Sequence, residues 1–151
     1  MAHSISYINM EHFLKAAISI SQLSTDPKTQ VGVLFVRNGS IVSSGCNRIP
    51  DRLAVTSDRI NVVETRSKFT EHAERSAVYA AARHGISIQG TTCISTLFPC
   101  IECARALIGC GAVELWSPAP DLLSGSKWTE SWIISQQMLE EAGIKIVDTS
   151  K

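Results

Sequence analysis

The chain reads as an α/β protein of three layers, α/β/α, built on a five-stranded mixed sheet in which strands 4 and 5 are parallel. Three observations predict this. Apolar periodicity switches along the chain in the order helix, strand, strand, helix, strand, helix, strand, helix, strand, and such alternation gives βαβ units with helices on the faces of a sheet. Asn38-Gly39, between two apolar runs, is a strong two-residue hairpin signal, so the first two strands pair antiparallel and the sheet is mixed. A helix separates the last two strands, so those two run the same way. The 151 residues, 44% of them hydrophobic, suit a single domain over residues 1–151 with a sizeable core.

Each element has its own signal. Met10, Phe13, Leu14, Ala17, Ile18 and Ser21 recur at helical spacing and predict a helix from Ile8 to Leu23. Pro27 prevents its continuation through the polar stretch that follows. Val31–Val36 and Ser40–Cys46 form the hairpin, and Asn47 ends its second strand. Residues 49–70 are polar and weakly periodic, and read as a long loop carrying Arg52, Arg59, Arg66 and Lys68; loops of this length are usually functional or mobile, and these charges suit either a phosphate or a solvated face. A helix rich in alanine runs from His72 to His84 and stops at Gly85. Thr91–Leu97 is the third strand, Cys100–Ile108 a helix entered through Pro99, and Ala112–Trp116 the fourth strand. Trp128, Trp132, Ile133, Leu139 and Ala142 line one face of a last helix. Ile144–Val147 is the fifth strand.

The chemistry lies at two of these junctions. His72-Ala73-Glu74 offers an imidazole and a carboxylate. Pro99-Cys100-Ile101-Glu102-Cys103 offers two thiols at i and i+3, on one side of a helix start. The positive end of that helix favours the thiolate that zinc requires. His72, Cys100 and Cys103 make three zinc donors and leave a tetrahedral position for water, as in catalytic sites. Glu74, two residues beyond His72, is placed to move the proton of that water rather than to bind the metal. Two other readings of the thiols stay open: a redox pair, or half of a structural zinc site. The latter needs a fourth ligand; Cys93 and Cys110 are available, though one lies in a predicted strand and the other at a helix end. Ligand sites in such sheets form at the carboxyl ends of strands, where Asn47, His72 and Cys100 all fall.

Composition narrows the class. Lys and Arg number 14, as do Asp and Glu, so no net charge draws the chain to nucleic acid. No apolar run reaches the length of a membrane span. The cysteine count of five is odd, and Met1–Met10 lacks a secretion signal, which together predict a reducing, cytoplasmic setting.

The pattern His-x-Glu followed by Pro-Cys-x-x-Cys resembles that of the zinc deaminases. With Asp26-Pro27-Lys28-Thr29-Gln30-Val31-Gly32, Gly45-Cys46-Asn47 and the run from Phe98 to Ala106, the chain resembles the cytidine/deoxycytidylate deaminase superfamily from its first helix to its last strand. The nearest look is to deoxycytidylate (dCMP) deaminases and their bacterial relatives. The resemblance implies a cytidine-deaminase-like fold, with strands 4 and 5 as in the dCMP and tRNA-adenosine branch. It also implies Zn2+ on His72, Cys100 and Cys103, and hydrolysis of dCMP to dUMP and ammonia, with zinc-bound water attacking C4 and Glu74 shuttling protons. Asn47 is the expected contact to the sugar or base, Ala73 is a further expected substrate-binding residue, and homodimers or hexamers are the expected assembly. Alternatives are deamination of guanine, a triazine, a nucleoside or tRNA adenosine, and an inactive deaminase-like binding subunit. The intact set of His72, Glu74, Cys100 and Cys103 argues against the last. Two departures touch the substrate rather than the chemistry: Ser76 where asparagine is frequent, and Arg48 where glycine is frequent. Arg48, at a strand end beside Asn47, is the expected phosphate contact.

Overall fold

The computed structural model describes residues 7–150; residues 1–6, part of the stretch read for a secretion signal, and residue 151 lie outside them. The elements are α1 (Tyr7–Ser21), β1 (Gly32–Arg37), β2 (Ser40–Cys46), α2 (Ser57–Asn61), α3 (Val63–Phe69), α4 (Ala73–Arg83), β3 (Thr92–Ser95), α5 (Ile101–Gly109), β4 (Glu114–Ser117), α6 (Thr129–Glu141) and β5 (Lys145–Asp148).

The strands form one sheet in the order β2-β1-β3-β4-β5. β1 pairs antiparallel with β2 and β3, whereas β3, β4 and β5 are parallel. The mixed sheet and the parallel pair β4/β5 follow the expectation. Asn38 and Gly39 take positive φ of 51° and 75°, the geometry that makes this dipeptide a tight hairpin turn. Just before the turn the register slips: Phe35 faces Ser43, but Val36 faces Ile41, leaving Val42 as the extra residue of a bulge.

Side chains alternate between the two faces of the sheet. Val33, Phe35, Cys93 and Leu115 point to the side covered by Ala77 of α4, Leu107 of α5 and Leu139 of α6. Leu34, Val36, Ile94 and Trp116 point to the side covered by α1 through Ala17, Phe13 and Leu14. These are the three layers. Each fully buried Leu, Ile or Phe contributes about 1.5–3 kcal/mol, so this double core is the main hold on the sheet.

Two glycines let helices approach the hairpin without side chains between. A Cβ on Gly32 would stand 1.9 Å from the Ala17 carbonyl oxygen of α1; one on Gly45 would stand 2.5 Å from the Ala77 backbone nitrogen of α4. Close contact at Gly45 sets α4 against β2, and so fixes where His72 and Glu74 come to rest.

Several expectations need correcting. Residues 49–70 are not a structureless loop: they contain α2 and α3, too short and too exposed to show a clear apolar stripe. Cys100, not Pro99, stands at the entry of α5, as its N-cap, so the proline precedes the helix. Ile18 and Ile133 face outward, 53% and 49% exposed, while Ile20 packs toward α1's core instead of Ile18. The tryptophans do not share one buried face of α6: Trp132 reaches the core, and Trp128 is a half-exposed N-cap. No helix among the described residues is long and apolar enough to cross a membrane.

Candidate active site

β2 ends at Cys46 and β3 at Ser95, on the same edge of the sheet, because β1 runs antiparallel to both. The segments leaving these ends carry the reactive side chains. The Ser95 hydroxyl donates to the Leu97 carbonyl at 2.7 Å, and Thr96 exchanges hydrogen bonds with Gly32, which anchors the turn into Phe98-Pro99-Cys100. Cys100 and His72 are the N-caps of α5 and α4, so two helix N-termini point at one place.

Three donors meet there. His72 Nδ1 lies 3.5 Å from Cys100 Sγ and 3.5 Å from Cys103 Sγ, and all three ligand atoms fall within 4.8 Å of one another. On a tetrahedral zinc, a nitrogen about 2.0–2.1 Å and a sulfur about 2.3 Å from the metal stand about 3.5 Å apart. The donor set therefore fits zinc in type and in spacing. Neither Cys93 nor Cys110 joins it, so the fourth protein ligand that a structural site requires is missing among the described residues. All five cysteines are unpaired, and no disulfide competes for the two thiols.

Electrostatics agree with a thiolate-binding centre. The Cys100 thiol is lowered to about 3, chiefly by its hydrogen bond with Cys103 against the opposing effect of burial. The Cys103 thiol, sealed at 0% exposure, is pushed up, first by its hydrogen bond with Cys100 and then by burial. The His72 imidazole is raised, first by its hydrogen bond to Cys100. Glu74 is 4% exposed, and burial pushes its carboxyl above the ordinary carboxylate range, partly offset by hydrogen bonds that include Cys103.

The site opens into a cavity of about 370 Å³. His72, Cys100 and Glu74 line it, with Ala73 and Asn47 beside them, so of the expected site residues the structure brings all but Cys103 and Arg48 to its wall. Cys103 is fully buried and does not line the cavity. The Asn47 amide is occupied by the chain itself: Oδ1 accepts from the Val31 N–H at 2.8 Å and Nδ2 donates to the Thr29 carbonyl at 2.7 Å. Arg48 stands apart from the cavity lining. Its backbone bridges to Glu71, and its guanidinium turns to Asp51 at 3.0 Å.

Other side chains complete the site. Glu71 accepts from the His72 N–H at 2.9 Å and from Arg75 Nε at 2.6 Å. Arg75 also pairs with Glu102, inside the Cys-x-x-Cys. This chain of charges joins the start of α4 to the start of α5, and so holds the imidazole against the thiols. Glu71 and Arg75 were legible only as a generic i,i+4 pair, and Glu102 as a spacer. From α6, the Ser131 hydroxyl accepts from the Ile101 N–H at 3.1 Å, satisfying an orphan donor at the head of α5. Trp128 sits edge-on to the His72 ring, centroids 6.3 Å apart, at the cavity wall. α3 and its C-cap contribute Val63, Arg66, Ser67 and Thr70 to the cavity lining, at i, i+3, i+4 and i+7.

Residues 8–116 match the family described as the cytidine and deoxycytidylate deaminase zinc-binding region. Among curated relatives is an uncharacterized deaminase in the luxG 3′ region of Aliivibrio fischeri, 32% identical over 138 residues covering 90% of each chain. A probable deoxycytidylate deaminase of Drosophila melanogaster is 27% identical over 148 residues, 89% of this chain and 69% of that one. Among solved structures, the dCMP deaminase of cyanophage S-TIM5 in complex with dCMP and dUMP superposes with a TM-score of 0.78 at 23% identity, over 96% of this chain and 99% of that one. With a family match over most of its length and that family's donors assembled at the strand ends, the chain belongs to the cytidine and deoxycytidylate deaminases and is a zinc-dependent hydrolytic deaminase.

Proposed function

We propose that the protein deaminates a cytosine-type nucleotide, converting dCMP to dUMP and ammonia. The observation that supports this most is the buried Glu74 carboxyl beside the three metal donors, at the wall of a cavity of about 370 Å³, within the usual size for a small-ligand site. Zinc, when held by His72, Cys100 and Cys103, supplies Lewis acidity and a water that gives up its proton readily. The chain's own part is proton transfer and positioning. Glu74 takes one proton of the water at a carboxylate oxygen and passes it to the amino nitrogen. As the water's oxygen bonds C4, the C4–N bond breaks and ammonia departs; the remaining water proton ends on N3 as the C4 carbonyl forms. Ala73 and Asn47 wall the base and sugar. Asn47 presents a fixed edge because Thr29 and Val31 already hold its amide. The names of the Drosophila relative and the cyanophage structure support dCMP as the substrate. A homodimer or hexamer, in a reducing cytoplasm favoured by five unpaired thiols, belongs to the same reading.

The test is a substrate panel with zinc-loaded protein, read by ammonia release: dCMP, deoxycytidine, cytosine and guanine. The reading expects dCMP to have the highest kcat/KM. Faster release from guanine would move the activity to another amino-heterocycle, and no release from any would overturn it.

A further inference from the structure

Arg66 lies on the cavity-facing side of α3, where Val63, Arg66, Ser67 and Thr70 follow one another at i, i+3, i+4 and i+7. Its side chain is only 11% exposed. Two contacts hold it. Nε faces Asp26 Oδ2 at 3.1 Å, and Nη1 donates to the Ile60 carbonyl at 2.8 Å. Asp26 is itself pinned, its Oδ1 accepting from the N–H groups of Lys28 and Thr29 at 2.8 and 3.0 Å. The outer nitrogen, Nη2, makes no hydrogen bond among the described residues and is not sealed from solvent. A guanidinium held at Nε and Nη1, with Nη2 left free at a cavity wall, is preorganised for an oxyanion.

A second cation reaches the same cavity. Lys127, on the loop before α6, is exposed, with its Nζ 5.3 Å from the centre of the Trp128 ring. Apart from the metal donors and Glu74, the charged residues lining the cavity are Asp26, Arg66 and Lys127. Asp26 offsets one cation, which leaves an excess of positive charge for an anionic group on the ligand. Arg48 offers no such donor there, because its guanidinium faces Asp51 and it does not line the cavity.

Resting on the nucleotide reading above, we propose that Arg66, oriented by Asp26, and Lys127 hold the substrate's phosphate and make the enzyme prefer a nucleotide to a nucleoside. Asp26 is a positioning residue in this arrangement; Arg66 and Lys127 touch the ligand.

Calorimetric titration of zinc-loaded Glu74→Gln protein with dCMP and with deoxycytidine tests this without turnover, and so separately from the reaction itself. The expected result is binding of dCMP at least about tenfold tighter than deoxycytidine, the scale of one hydrogen bond to a charged group. Adding Arg66→Gln should bring the ratio toward one, with deoxycytidine affinity kept. Asp26→Asn and Lys127→Ala should each lower it several-fold. Lys127 is at the surface, so its variant keeps the test decisive if Arg66→Gln fails to fold. No preference for dCMP, a preference that survives these changes, or equal weakening of both ligands would overturn the proposal. Ammonia release from dCMP by the parent protein reports on the proposed reaction whatever the titrations show.

Discussion

Glu74 and the three donors divide the chemistry between them, and single substitutions can separate their parts. Glu74→Gln keeps shape and removes the basic oxygen, so zinc content should stay at the parental level while kcat falls roughly a hundred- to ten-thousand-fold. Cys100→Ala should do the opposite first: metal analysis should show zinc lost, and activity lost with it. Because the site ties two helix starts together, that variant should also melt at a lower temperature than the zinc-loaded parent. Arg75→Ala tests the charged link between those starts. Without it Glu71 and Glu102 lose their common partner, and a competition titration should show zinc affinity lowered by about 10–100-fold, the range for groups that orient metal ligands.

At the scale of elements, the site depends on how tightly α4 lies on β2. A methyl group at Gly45 would meet α4 backbone at 2.5 and 2.8 Å, with no flexible side chain to yield. Gly45→Ala should therefore cost about 1–3 kcal/mol in a denaturant melt, as other overpacked sites do. It should also lower kcat, since displacing α4 moves His72 and Glu74 away from the thiols of α5. A neutral melt with parental activity would mean that the helix is held elsewhere. The hairpin, α4 and α5 were legible in the sequence because each has a strong local signal: Asn-Gly for the turn, an alanine run ending in glycine, and proline before the thiols. α2 and α3 were not legible. Neither buries a residue, so neither shows an apolar stripe, and one tie between α3 and the rest of the chain is the side-chain pair Asp26–Arg66, forty positions apart. Arg48 was only partly legible for a related reason. Its position at a strand end is visible in sequence, but the carboxylate that claims it, Asp51, is one of many local candidates.

Over the whole molecule, the sheet collects at one edge what the chain holds far apart: Asn47 after β2, His72 before α4 and Cys100 after β3. The order of elements along the chain and their alternation sufficed to anticipate that convergence, whereas the charges around the cavity required three-dimensional contacts. The interior thiols add a pH limit of their own. Burial raises Cys46, Cys93 and Cys110 above their ordinary value of 9.0. The folded chain thus keeps protons that the unfolded chain releases, and stability present below about pH 9 should fall as pH rises beyond it. Denaturant midpoints from pH 7 to 10 should decline, and Cys93→Ser should flatten the decline while lowering the midpoint at pH 7.

The central claim is that Glu74, beside zinc on His72, Cys100 and Cys103, performs the proton transfer of a deamination. The most direct measurement is the rate of ammonia release from dCMP per bound zinc, for the parent and for Glu74→Gln prepared alike. The account predicts about one zinc per chain in both proteins, steady turnover in the parent, and turnover reduced at least about a hundredfold in the variant. Turnover within a few-fold of the parent, or equal parental activity after zinc is stripped, would contradict it.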